Sequence, residues 1–155
     1  MSQSNQLNYS FQSDSASSQP VYWYSYNISH TDGLSAVDLE LGSGSDSITV
    51  DSTATSNNFF SYRGYNYATS FGVSDSSLIT GSGDDTIDIN SSAIVTTEEN
   101  PIYYGSNFNQ VKSFGLVDSY LSTGSGDDSI NINTISFANS DKDWWNYTNL
   151  ESYGV

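Results

Sequence analysis

The sequence predicts an all-β chain wound as a parallel β-solenoid, on three observations. There is an internal repeat of about forty residues, the glycines keep to fixed columns of that repeat, and short stretches alternate apolar with polar residues. Three copies align without gaps: HTDGLSAVDLELGSGSDSITVD from His30, TSFGVSDSSLITGSGDDTIDIN from Thr69 and KSFGLVDSYLSTGSGDDSININ from Lys112. The spacing is 39 residues from Gly33 to Gly72 and 43 from Gly72 to Gly115. Ten of the twelve glycines fall in the two repeating glycine regions, so glycine punctuates a regular backbone path.

All 155 residues read as one solenoid domain. A partial copy covers 1–29, where YSFQSDSA from Tyr9 aligns with ITVDSTAT from Ile48 and so places Tyr9 in the Ile48 column. Full copies follow at 30–68, 69–111 and 112–151, and 152–155 begins another. Just upstream of each glycine column, YNISHTDGL, YNYATSFGV, FNQVKSFGL and YTNLESYGV also align. Ile48-Thr49-Val50, Ile87-Asp88-Ile89 and Ile130-Asn131-Ile132 alternate as half-buried strands do. Leu39, Leu78 and Leu121 precede those isoleucines by nine residues each. Nine residues as a half-coil predict coils of about eighteen to twenty residues, hence about two coils per repeat. No stretch carries a helical period, and abundant Ser, Thr, Asn and Gly disfavour helices.

With 35% hydrophobic residues the core must be thin and elongated. Eighteen acids face three bases, Arg63, Lys112 and Lys142, for a net charge of -15. Such a field repels nucleic acid and anionic membranes and attracts cations. Without cysteine, and with His30 as its one histidine, the chain offers no disulfide, thiol nucleophile or histidine-based triad. No apolar run is long enough for a membrane span, and the first residues lack the basic and apolar segments of a signal peptide. The expectation is a non-enzymatic protein with no membrane insertion.

The repeat is best preserved in LGSGSDSIT from Leu41, TGSGDDTID from Thr80 and TGSGDDSIN from Thr123. These resemble the nonapeptide of RTX-type, or haemolysin-type, calcium-binding repeats, G-G-x-G-x-D-x-U-x with U a large aliphatic. The resemblance puts Gly42 and Gly44, Gly81 and Gly83, and Gly124 and Gly126 at the turn glycines, and Asp46, Asp85 and Asp128 at the acidic place. It implies a parallel β-roll of a secreted bacterial protein, extracellular or at the cell surface, with calcium as cofactor held by aspartates and turn carbonyls. Asp84 and Asp127 add a second acid beside two of the three core aspartates. Calcium takes six to eight oxygen ligands, and a glycine turn that aims carbonyls inward beside a carboxylate suits it. The departures are Leu41, Thr80 and Thr123 in place of the leading glycine, and one full motif per copy instead of a tandem run. The same residues also read as a plain corner whose aspartates bond turn amides.

Aromatic clusters precede each glycine column: PVYWYSYN from Pro20, FFSYRGYNY from Phe59, PIYYGSNF from Pro101 and WWNY from Trp144. Stacked coils align them into a stripe, and strand alternation divides them between core and surface. The outward candidates for an interface or for stacking against a sugar are Trp23, Tyr24, Phe60, Tyr104, Trp144 and Trp145. The chain opens just before one repeat-like strand and closes inside another, which predicts head-to-tail self-assembly into a surface filament or sheath. The alternatives are a calcium-dependent adhesin or carbohydrate-binding module, with a surface glycan as partner, or a segment of a larger RTX-like repeat protein.

Overall fold

The computed structural model describes residues 4–17, 24–59, 63–98, 106–140 and 145–155, and they form an all-β parallel solenoid of about three turns. The strands are β1 (Gln6–Ser17), β2 (Ser25–Ser35), β3 (Asp38–Ser43), β4 (Ser47–Phe59), β5 (Arg63–Ser74), β6 (Ser77–Ser82), β7 (Thr86–Glu98), β8 (Ser106–Val117), β9 (Tyr120–Ser122), β10 (Ser129–Ser140) and β11 (Trp145–Tyr153). They sort into three parallel sheets. Sheet A runs β1-β4-β7-β10, sheet B runs β2-β5-β8-β11 and sheet C runs β3-β6-β9. The chain passes from B through C to A and then climbs one level.

One coil therefore consumes one whole repeat, which corrects the expectation of two coils per repeat. Ser25 pairs with Gly64 and Gly64 with Asn107, so the register steps equal the sequence spacing of 39 and 43. The nine residues from Leu39 to Ile48 turn the corner between sheets C and A and are not half a circuit. A coil this long stays filled with few large aliphatics because sheets A and B lie face to face over small residues. Inward positions of β4, β5, β7 and β8 include Ser52, Ala54, Ala68, Ser70, Ser91, Ala93 and Ser113, all buried.

Aliphatics gather where sheet C closes the third side. Leu34, Ile48, Val50, Val73, Leu78, Ile87 and Ile89 form one buried cluster, with Leu39, Leu116, Leu121 and Ile132 packed against it. Burying each such side chain contributes about 1.5–3 kcal/mol. A smaller cluster of Ala54, Ala68, Ala93, Val95 and Val111 occupies the narrow part.

The first strand also needs a correction. Leu7 pairs with Ile48 and Tyr9 with Val50, two residues away from the sequence alignment. A slip of two leaves every side chain on the same face, so alternation alone does not detect it.

Candidate functional site

The glycine-acid turn links sheet C to sheet A. Its glycines have left-handed backbones, with φ of +105° at Gly81 and +135° at Gly83, a region open to residues without a Cβ. Space is equally limiting at Gly81, where a Cβ would lie 1.8 Å from the Gly42 carbonyl oxygen of the preceding coil. Successive turns are hydrogen-bonded through their backbones. The Gly44 amide donates to Ser82 O at 2.8 Å, Gly83 to Ser125 O at 2.9 Å, Ser125 to Gly81 O at 3.1 Å and Thr86 to Asp46 O at 2.9 Å.

The five acids predicted as metal ligands divide into two ladders, because adjacent residues of an extended chain face opposite ways. Asp46 and Asp85 point inward and are buried, and Asp128 stands half-buried above them. Each Oδ1 accepts the amide of its counterpart one coil earlier: Asn5 N–H to Asp46 at 2.7 Å, Asp46 N–H to Asp85 at 2.8 Å, and Asp85 N–H to Asp128 at 3.0 Å. Asp84 and Asp127 are exposed on the other side, where the Asp127 amide donates to Asp84 Oδ1 at 3.0 Å. Among the described residues no three Asp, Glu or His side chains come together as a metal cluster.

The inner ladder explains one oxygen of each carboxylate and leaves the other. Asp46 Oδ2 and Asp85 Oδ2 are buried and accept no hydrogen bond. Stacked carboxylates one strand spacing apart repel, and a buried acceptor without a donor is costly. A carboxylate oxygen left in this state is the kind of oxygen ligand that a divalent cation takes.

The aromatic stripe lies on the outward face of sheet B. Tyr26, Tyr65, Phe108 and Tyr147 share one column, and Phe71, Phe114 and Tyr153 another. Tyr26 stacks on Tyr65 at 4.8 Å and Phe108 on Tyr147 at 5.1 Å, with Tyr65 and Phe108 tilted at 6.1 Å. Phe71 and Phe114 stack at 4.9 Å, and Phe114 and Tyr153 at 5.5 Å. Rings spaced like the strands cover one another's faces and turn their edges to solvent. An open cavity of about 320 Å³ beside them is lined by Arg63, Ser106, Asn107, Asn146, Tyr65, Phe108 and Tyr147.

Of the aromatic residues predicted to face outward, Tyr24 is exposed and lies under the Arg63 guanidinium at 5.8 Å. Trp145 opens β11 in register with Ser106, and its side chain is outside the described residues. Trp23, Phe60, Tyr104 and Trp144 also lie outside them. The two ladder columns were not singled out from sequence, although the aligned segments beginning at Tyr26, Tyr65, Phe108 and Tyr147 carried the signal. No protein-family model matches the sequence, and no curated protein or solved structure matches it significantly.

Proposed function

We propose that the chain is a non-enzymatic structural protein of the cell exterior that stacks end to end into a filament or sheath. The observation that carries this reading is the state of the two end faces of the described solenoid. At one end β1, β2 and β3 are edge strands, and at the other β10, β11 and β9 are. Core columns run out uncovered there: Ile130, inward in sheet A, is 45% exposed, and Leu150, inward in sheet B, is 50% exposed. Open edges with apolar columns are templates for further pairing. A head-to-tail contact between unlike ends does not close on itself and propagates as a filament.

The rival reading, a monomer that stacks sugars on aromatic faces, has less support because the ladder rings already cover one another. A second reading, calcium at the glycine-acid turn, is favoured by the unpartnered Oδ2 atoms of Asp46 and Asp85.

Electron microscopy and light scattering of the purified chain across salt test the assembly. Filaments are expected to lengthen with salt, since screening relieves repulsion between copies of charge -15. Monodisperse monomers under every condition, calcium included, would sink the filament. For the turn, a melting temperature equal in EDTA and in millimolar calcium discards the metal and keeps the corner.

A further inference from the structure

The two end faces are stepped, and the steps are complementary in sheets A and B, while sheet C, with three strands to their four, leaves one level open at the joint. At the β1 end, sheet A extends one level beyond sheets B and C, and at the other end β11 carries sheet B one level beyond β10 and β9. Resting on the end-to-end reading, we infer that the contact between copies is a composite coil in which β11 of one copy and β1 of the next lie at the same level. β1 then pairs with β10 of its neighbour, and β2 with β11.

The columns continue through this joint with like on like. In sheet A, Ile130 meets Leu7 of the next copy and Ile132 meets Tyr9, extending the Ile48–Ile87 and Val50–Ile89 columns. In sheet B, Tyr147 meets Tyr26, the terminal members of the outer aromatic ladder. These two rings are 60% and 66% exposed, so each keeps one face for the other. Glu151, paired with Lys112 at 2.9 Å, comes level with His30 of the next copy, which faces Asp32 at 3.0 Å.

The aspartate ladder agrees in direction. Every inner amide donates to an Oδ1 one coil later, and at the joint Asn5 of the next copy follows Asp128. Its side-chain Oδ1 is an acceptor for the Asp128 amide and brings no fourth stacked carboxylate. Each copy advances the filament by four strand levels, an axial repeat of about 19 Å at about 4.8 Å per level.

Cysteine cross-linking tests the register, and the chain has no native thiol to interfere. Ser10 and Asn133 are outward residues on the two edge strands of sheet A, in one column, and the composite coil sets them side by side between copies. Three levels of sheet A separate them within a copy, so no disulfide forms inside one chain.

The double variant Ser10→Cys with Asn133→Cys, oxidised after assembly, should convert most of the protein into a ladder of covalent multimers. Ser10→Cys with Phe137→Cys, four residues out of register, should stay almost wholly monomeric on a non-reducing gel. Filaments that form without cross-linking, or that cross-link equally in both pairs, overturn the composite coil while leaving assembly standing. Absence of filaments from every variant and from the parent chain overturns both.

Discussion

The two halves of each coil hold together in different ways. In the wide half, three sheets close around Leu34, Ile48, Val50, Leu78, Ile87 and Ile89. In the narrow half, sheets A and B alone face each other, and hydroxyls and amides alternate there with the small cluster of Ala54, Ala68, Ala93, Val95 and Val111. Ser52 and Ser70 meet at 2.7 Å, Ser91 donates to Ser70 O at 3.0 Å and Ser113 to Ser91 O at 2.8 Å, a zigzag that climbs from sheet to sheet. Beside it Asn27 donates to Asn66 at 3.0 Å and Asn66 to Asn109 at 2.8 Å. Apolar burial has no direction and supplies most of the free energy. Each polar bond is worth about 0.5–1.5 kcal/mol net, but it is satisfied at one register only. The wide half stabilises the coil, and the narrow half fixes how coils stack.

The corner joining sheet C to sheet A is less tolerant than either half. Gly81→Ala places a methyl 1.8 Å from a backbone oxygen at a φ of +105°, so neither side-chain rotation nor local relaxation removes the clash. The expected loss is on the order of 4 kcal/mol or more by urea unfolding. A loss below about 1 kcal/mol would show that the turns are not stacked this closely.

The next two variants compare the halves directly. Ile87→Ala opens a cavity in the wide half and should cost about 3 kcal/mol. Asn66→Leu adds apolar surface in the narrow half and should still cost about 2 kcal/mol, because it leaves the Asn27 amide and the Asn109 carbonyl oxygen buried without partners. Were Asn66→Leu neutral or stabilising in urea unfolding, the narrow half would be an ordinary core and its ladders incidental.

Much of this was legible in the sequence because glycine and aliphatic columns repeat in register. Gly33 with Gly72, Leu39 with Leu78 and Ile48 with Ile87 are one coil apart in the structure as in the alignment. The coil length is not legible there, because the nine residues from Leu39 to Ile48 suit half a circuit of two sheets as well as one corner of three. Tyr9 slipped by two residues because alternation has period two. The separation of Asp84 from Asp85 follows from the same alternation. Less legible was the serine zigzag: Ser52, Ser70, Ser91 and Ser113 look like solvated residues in a chain so rich in serine. Their burial comes from the opposing sheet, which no local window contains.

The smallest effect belongs to the outer face of sheet B, where Glu151 stands beside Lys112. Hydrogen bonds from Lys112 first, and then from Asn149 at 2.8 Å, hold the Glu151 carboxyl below the usual glutamate range. A carboxyl whose pKa is lowered by folding stabilises the fold above its unfolded value and loses that contribution as pH falls through the folded one. Glu151→Gln should therefore be slightly less stable than the parent chain from pH 6 to 8. The two melting temperatures should converge as pH falls below the folded-state pKa, where Glu151 is protonated and resembles the amide. The pair lies at the surface and is partly exposed, so the gap should stay well below that of Asn66→Leu. If the order were reversed, charges on the outer face, and not the amides within, would be setting the register of the coils.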